Sequence, residues 1–168
     1  MSGKNKLVYI SNDDELVNLI NSQGFDILKI TMERFFNKSL ENEDKFEITY
    51  RAQLDRAIKR FDHGFIYYST NENDEDVLKG FVLITASQFY IEMSIDLIGG
   101  INQEIYEKML NKAVLFCSGK QMLKVSVCIE NYPNLIETYN DFDFLEDSRI
   151  LDNKKVRCIK MSRLVEYY

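Results

Sequence analysis

The chain has 168 residues, of which 45% are hydrophobic and 29% are charged, and its formal net charge is −6. This length and composition predict a single globular domain, residues 1–168, and argue against disorder. The negative charge argues against nucleic acid or an anionic membrane as a partner. One histidine, and three cysteines without metal-ligand spacing, argue against a bound metal.

The beginning of the chain predicts a soluble, cytoplasmic protein. Met-Ser-Gly-Lys-Asn-Lys leads into a short apolar strand at residues 7–10, whereas a secretory signal peptide needs a longer apolar segment. No apolar run approaches the length of a membrane span. The odd number of cysteines indicates reduced, packed thiols, as is typical of an intracellular protein.

Three helical stretches are predicted after the first strand. Apolar residues recur at helical spacing in 16–24, 25–36 and 46–61. We expect the first helix to end near Gly24, because glycine disfavours a helix interior. The polar residues 38–45 predict a loop before the third helix.

Three strands are predicted next, at residues 65–69, 78–87 and 89–98, with a solvated hairpin loop at 70–76 and a tight turn near Gln88. Alternation along the third strand predicts a polar face and an apolar face. The polar face carries Tyr90, Glu92, Ser94 and Asp96, and the apolar face carries Ile91, Met93, Ile95 and Leu97.

A glycine pair, Gly99-Gly100, interrupts this alternation and predicts a turn. The residues after it predict an amphipathic helix over 101–117, with Met109 in the middle of its apolar stripe and Gly119 as a C-terminal cap. A strand at 124–130 follows. A strand–helix–strand order of this kind predicts a right-handed crossover between two adjacent parallel strands.

The segment 123–144 is the most informative part of the sequence. Its strand is followed at once by Asn131, and Pro133 can open a helix because the N–H that proline lacks is not needed there. The helix ends in a Tyr-x-x-x-x-Phe unit, from Tyr139 to Phe144.

A partly extended polar stretch at 145–153 and an alternating strand at 156–164 come last. The complete order of elements predicts the fold class. It is a single-domain mixed α/β (α+β) sheet, mostly antiparallel, with one parallel strand pair and flanking helices.

The segment 123–144 resembles the late strand–Asn–helix–Tyr–Phe segment of the GNAT superfamily of N-acetyltransferases. The order of elements is similar to that family over nearly the whole chain. The resemblance implies an acetyltransferase-like fold that transfers an acyl group from acetyl-CoA, or another acyl-CoA, to an amine. It implies acyl-CoA as co-substrate without a metal, and an amine-bearing small molecule or protein as acceptor.

The resemblance also implies catalytic residues. In the family, the tyrosine at the position of Tyr139 is often the general acid at the coenzyme A sulfur, and the strand at 89–98 often supplies a general base. Glu92 and Asp96 are the candidates for this base. The alternative for Tyr139 is an aromatic residue with its hydroxyl satisfied at the surface, and for the carboxylates an ordinary solvated face.

The turn before the helix at 101–117 resembles the place where the family holds the coenzyme A pyrophosphate. Backbone N–H groups and the helix dipole bind the phosphates there. The alternative is a plain turn between strand and helix. The implied coenzyme-binding residues are Leu97, Ile98, Gly99, Gly100, Ile101, Asn102 and Asn131.

Departures from the family pattern leave a second function open. Leu97 stands at the family's Arg or Gln, Asn102 at its second Gly, and Asp143 at the Gly before the final Phe. Glu104, in the first helical turn, would oppose a phosphate. The alternative is therefore a catalytically inactive module of the same fold, which binds or assembles with a protein partner.

Overall fold

The computed structural model describes residues 3–87, 91–152 and 155–165. Seven strands and four helices occur in these ranges. In chain order they are β1 (Asn5–Ile10), α1 (Val17–Phe36), α2 (Asp44–Arg60), β2 (His63–Thr70), β3 (Asp76–Ala86), β4 (Glu92–Gly100), α3 (Gln103–Gly119), β5 (Lys124–Glu130), α4 (Pro133–Asp141), β6 (Leu145–Asp152) and β7 (Lys155–Leu164). No helix in the described ranges is both long enough and apolar enough to cross a membrane.

The strands form one sheet in the order β1-β2-β3-β4-β5-β7-β6. Neighbouring strands are antiparallel, except that β4 and β5 run parallel and are joined by α3. This arrangement confirms that the two strands joined by α3 are adjacent and parallel, and it confirms the predicted fold class. Four residues of the predicted turn, strands and polar stretch lie outside the described residues: Gln88, Phe89, Tyr90 and Asn153.

Helices cover both faces of the sheet and build two connected layers of core. On one face, α1 and α2 pack with Phe81 and Leu83 of β3, and on the other α3 packs with Val82 and Ile84. Met109 of α3 has no exposed surface, which confirms that its stripe faces the core. The parallel pair β4–β5 therefore lies in the middle of the sheet with helices on both sides.

Helix α1 continues through Gly24, so the predicted break there is wrong. A Cβ on Gly24 would lie 3.1 Å from Ile20 Cγ2 and 3.3 Å from Leu54 Cδ1 of α2. The glycine therefore allows α1 and α2 to approach closely. This packing outweighs the low helix propensity of glycine, which costs about 1 kcal/mol.

The glycine pair is part of strand β4, so the predicted turn at Gly99-Gly100 is also wrong. Gly100 pairs with Gly80 of β3, and neither Gly99 nor Gly100 has a positive φ. A Cβ on Gly100 would lie 2.6 Å from the Tyr106 backbone nitrogen. A side chain does not fit at position 100, because the first turn of α3 packs directly onto the strand.

The predicted cap at Gly119 is wrong for a related reason. Gly119 is the last residue of α3, and the left-handed conformation falls on Gln121, at φ 59°. The Met122 N–H then donates to the Cys117 carbonyl at 3.1 Å, which closes the helix end. Residues 145–152, predicted to be partly extended, form the whole strand β6.

Candidate active site

The candidate site begins at a β-bulge in β4. Leu97 pairs with Leu83 of β3 and Ile95 pairs with Ile84, which leaves Asp96 between them as the extra residue. On its other side, β4 pairs with β5 only from Glu92 to Ile95. Beyond Ile95 the two parallel strands are no longer paired, and a cleft opens between their ends.

The bulge changes which side chains face each layer of the core. Ile95 and Ile98 pack with α3, whereas Leu97 packs with residues of α1 and α2 such as Leu28 and Leu54. The prediction that Leu97 shares a face with Ile95 is therefore wrong. One extra residue shifts the period-two alternation by one position.

The cleft between β4 and β5 has a volume of about 360 Å³. Its walls come from six elements besides these two strands. The lining residues are Leu28 and Met32 of α1; Thr49, Tyr50 and Gln53 of α2; Ile95–Ile98 of β4; Tyr106 of α3; Val127–Glu130 of β5; Leu135 and Tyr139 of α4; and Ile150 and Cys158 of the last two strands. Two carboxylates are among them, and of the side chains that the structure describes no lysine, arginine or histidine lines the cleft.

Asp96 lines the cleft at the bulge. Its Oδ2 accepts a hydrogen bond from the Thr85 hydroxyl. Although the residue is exposed, the protein atoms around its carboxyl remove part of its hydration. This desolvation raises the pKa of Asp96 against the opposing effect of Thr85, and the Asp62 carboxylate adds to the rise. Asp96 is thus a carboxylate with a strengthened affinity for a proton.

Glu92, the second candidate base, lies outside the cleft in the paired part of β4. The Ser126 hydroxyl donates to Glu92 Oε1 at 2.5 Å, and Lys160 Nζ lies 3.1 Å from the same oxygen. The Ser126 hydrogen bond, together with Lys160, lowers the pKa of Glu92. Glu92 therefore bridges β4 to β5 and β7, and only Asp96 of the two candidates lines the cleft.

Tyr139 lines the cleft, and its hydroxyl is buried. The Tyr139 and Tyr106 hydroxyl oxygens are 2.8 Å apart, and burial raises the pKa of both phenols. The sequence-based alternative, a hydroxyl satisfied at the surface, is therefore wrong. Tyr106 was not predicted as a site residue, although Tyr106 and Leu110 form a second apolar stripe of α3 at i,i+4 spacing.

The Tyr-x-x-x-x-Phe unit folds back on itself behind the cleft. The Tyr139 and Phe144 rings meet edge to face at 5.3 Å, and the Phe144 N–H donates to the Tyr139 carbonyl at 3.0 Å. Asp143 has a φ of 63°, at the position where the resemblance expects glycine. Aspartate tolerates this left-handed conformation better than most residues, so the turn is retained without glycine.

A second carboxylate, Glu130, lines the cleft at the end of β5. The Tyr50 hydroxyl donates to Glu130 Oε1 at 2.8 Å, and it also lies 3.3 Å from Met32 Sδ. Burial and the Glu130 carboxylate raise the pKa of Tyr50, which keeps it protonated as a donor. Sequence reasoning missed this pair because its members are 80 residues apart.

The predicted pyrophosphate cradle at the start of α3 is closed at Gly100. The Gly100 N–H donates to Thr31 Oγ1 at 3.0 Å, and its carbonyl accepts from Arg34 Nη1 at 3.3 Å. The Ile101 N–H donates to the Lys79 carbonyl at 2.9 Å. Asn102 caps α3, with Oδ1 accepting from the Ile105 N–H at 2.9 Å.

Arg34 adds an unsatisfied cation beside this closed backbone. Its Nε and Nη2 are buried without a hydrogen-bond partner among the described residues. Desolvation lowers the pKa of Arg34, and the guanidinium lies 5.8 Å from the centre of the Tyr106 ring. Nε and Nη2 form the edge of a guanidinium that binds an oxyanion with two parallel hydrogen bonds.

Of the predicted coenzyme-binding residues, Leu97 and Ile98 line the cleft. Gly99 is a buried strand residue and Asn131 is exposed just after β5; neither is among the lining residues. Within the described ranges, no group of three or more His, Cys, Asp or Glu residues could hold a metal ion.

No protein-family model matches the sequence, and no curated protein sequence matches it either. Solved structures do match its fold. An aminoglycoside 6'-acetyltransferase type Ii is 8% identical with a TM-score of 0.63, and the match covers 97% of this chain and 99% of that one. The chain has the fold of the GNAT N-acetyltransferases.

Two further solved structures share this fold. The ribosomal-protein-S18-alanine N-acetyltransferase of Escherichia coli is 12% identical, with a TM-score of 0.61 over 98% of this chain and 96% of that one. Mutant forms of the spermidine/spermine N-acetyltransferase SpeG from Vibrio cholerae are 14% identical, with a TM-score of 0.55 over 96% and 95%. The GNAT fold thus confirms the structural part of the resemblance drawn from residues 123–144.

Proposed function

We propose that this chain is a cytoplasmic enzyme that transfers an acyl group from acyl-coenzyme A to the amine of a cationic acceptor. The observation that carries the proposal is the cleft that opens where β4 and β5 cease to pair at the Asp96 bulge. There the β5-facing backbone of 96–98 has no ladder partner in β5, so it can hydrogen-bond to an extended substrate.

The charges of the cleft select the acceptor. Asp96 and Glu130 are the carboxylates of its lining, and none of the described side chains that line it is cationic. An ammonium group is attracted into such a cleft, while an anionic acceptor is repelled. The acceptor is therefore a cationic amine, whether it belongs to a small molecule or to a protein.

The transfer itself requires three proton movements. The bound ammonium first loses a proton, because only the neutral amine has a lone pair; Asp96 accepts that proton, and the raised pKa of its carboxyl suits this role. The amine nitrogen then attacks the thioester carbonyl, the C–S bond breaks, and the second proton that the nitrogen loses as the amide forms replaces the one that Tyr139 gives away. Tyr139 donates a proton to the departing thiolate, while Tyr106 holds the Tyr139 hydroxyl in place at 2.8 Å.

The coenzyme phosphates need a binding site that replaces the closed Gly100 backbone. Arg34, on α1, lies beside Gly100 and has two buried donors without partners. A phosphate at this position gains charge-assisted hydrogen bonds, which the leucine at position 97 cannot supply. We therefore assign the pyrophosphate of coenzyme A to Arg34.

A second function, a binding or assembly module without catalysis, is favoured by one specific observation. The Gly100 N–H and carbonyl and the Ile105 N–H are all engaged within the protein. Fewer backbone donors then remain at the helix N-terminus for an anion. The two functions differ in whether coenzyme A binds.

Calorimetric titration with acetyl-CoA tests the proposal. We expect saturable binding that weakens with added salt and weakens again in Arg34→Met, which keeps the packing volume but removes the charge. Lys59→Met, a charge removal on exposed α2, is the matched control and should bind as the unaltered chain does. If acetyl-CoA at about millimolar concentration gives neither binding heat nor thermal stabilisation, the proposal that the chain is an enzyme is overturned and the binding module is favoured.

A further inference from the structure

A strip of lysines and aromatic rings runs along α3 on the face of the protein that is not used by the cleft. Lys108, Lys112, Phe116 and Lys120 recur every four residues, so they lie on one side of α3 and its C-terminal cap. None of these four residues lines the cleft. We call this surface the lysine strip.

Each lysine of the strip lies over an aromatic ring. Lys108 Nζ is 4.9 Å from the Tyr67 ring centre, Lys112 Nζ is 5.3 Å from that of Phe65, and Lys120 Nζ is 5.5 Å from that of Phe116. Within the described ranges, none of the three lysines forms an ion pair. The strip therefore carries three lysines without an ion-pair partner in a chain whose net charge is −6.

Apolar side chains border the same strip. Leu115 is 54% exposed on α3, and Tyr9 and Leu7 of the edge strand β1 are 43% and 37% exposed. The Tyr9 ring stacks with Phe116 at 5.8 Å, which joins the two elements into one surface. Exposed apolar patches with polar residues at their rim are typical of an interaction site.

We propose that the lysine strip binds an acidic segment of a partner protein that also carries aliphatic side chains. Its carboxylates meet Lys108, Lys112 and Lys120, and its aliphatic groups cover Leu115 and Leu7. From residue 108 to residue 120 the strip is about 18 Å long, which matches a short peptide segment.

Single-stranded nucleic acid is the other polyanion that such a surface could suggest, but the strip does not fit it. Bases bind by stacking on open aromatic faces. Here ammonium groups already lie over Tyr67, Phe65 and Phe116.

Fluorescence anisotropy with a defined probe tests the proposal. The probe is a labelled dodecapeptide of eight glutamates and four leucines, and the control peptide replaces every glutamate with lysine. We expect saturable binding of the acidic peptide that falls with ionic strength, and no binding of the basic one. The combined variant Lys108→Gln, Lys112→Gln and Lys120→Gln should lose about tenfold or more in affinity.

The charge-matched control is Lys45→Gln, Arg56→Gln and Lys59→Gln, three exposed cations of α2. It should bind the acidic peptide as the unaltered chain does. Equal loss in both variants, no saturable binding, or tighter binding of a twelve-nucleotide oligothymidine than of the acidic peptide would each overturn the proposal. Circular dichroism and a thermal melt of each variant establish that it is folded.

Discussion

The hydroxyl oxygens of Tyr106 and Tyr139 lie 2.8 Å apart, and neither ring is more than marginally exposed. One hydroxyl must donate to the other in this pair. When Tyr139 gives its proton to a group in the cleft, its oxygen can accept the proton of Tyr106. The pair thus couples a residue that lines the cleft to a partner on the crossover helix.

We expect Tyr139→Phe to slow acyl transfer by about 10²–10⁴-fold, because the leaving thiolate loses its proton donor. Binding of acetyl-CoA should be retained. Single-turnover kinetics at saturating amine measures the chemical step. An unchanged rate there would remove Tyr139 from the mechanism.

The hydrogen bond between Tyr106 and Tyr139 can also be tested through its effect on stability. Each single change, Tyr106→Phe or Tyr139→Phe, leaves a buried hydroxyl without its partner and should cost about 1–3 kcal/mol of unfolding free energy. The double variant should cost less than the sum, because both polar groups are removed together. Additive costs in urea unfolding would contradict the hydrogen bond.

Asp96→Asn should remove the general base and lower kcat/KM by about 10²–10⁴-fold. The pKa of Asp96 is raised, and only its deprotonated form accepts a proton. Activity of the unaltered enzyme should therefore rise as pH increases through this raised pKa. The pH–rate profile of the Asp96→Asn variant should lack this rise. Glu92→Gln is the control, because Glu92 lies outside the cleft; a matching loss in both variants would contradict the assignment.

Glu130→Gln should weaken binding of a cationic acceptor such as 1,4-diaminobutane. We expect KM for the amine to rise about tenfold, equivalent to about 1.4 kcal/mol, with little change in kcat. KM for acetyl-CoA should stay constant in the same steady-state measurements. An amine KM that does not change would mean that Glu130 serves only as the acceptor for the Tyr50 hydroxyl.

Met109→Ala should destabilise the protein by about 2–5 kcal/mol, because it leaves a cavity in the fully buried stripe of α3. Leu115→Ala, on the same helix but 54% exposed, should change the unfolding free energy by about 0.5 kcal/mol or less. Chemical denaturation measures the unfolding free energy of both variants. Similar losses of stability would show that the Met109 stripe does not face the core.

Gly100→Ala should destabilise the protein by about 1–3 kcal/mol, since the new Cβ would lie 2.6 Å from the Tyr106 nitrogen. The effect is on packing and does not require coenzyme A. Gly119→Ala is the control, because nothing lies within 4 Å of its Cβ and alanine favours a helix. If Gly100→Ala melts at the temperature of the unaltered protein, α3 does not press on β4 at this point.

Periodicity predicted the sheet and the crossover well, because burial repeats along each element. It could not predict the continuity of α1, because Gly24 is accommodated by Leu54 of another helix. Nor could it predict the meeting of Tyr50 with Glu130, or of Tyr106 with Tyr139, since each pair depends on how whole elements pack. The bulge at Asp96 was also missed. Apolar and polar residues still alternate through Ile95, Asp96 and Leu97, so the sequence looks like that of a regular strand.

The bulge makes the cleft depend on the number of residues in β4 more than on their identity. Removing Asp96 would join Ile95 and Leu97, opposite Ile84 and Leu83, into a regular ladder with each side chain in its present layer, but it would remove the bulge from which the cleft opens. Conservative substitutions there leave the count intact. In a library of single-residue deletions across β4, deletion of Asp96 should therefore retain more folded protein than deletions elsewhere in the strand and should still lose acetyl-CoA binding.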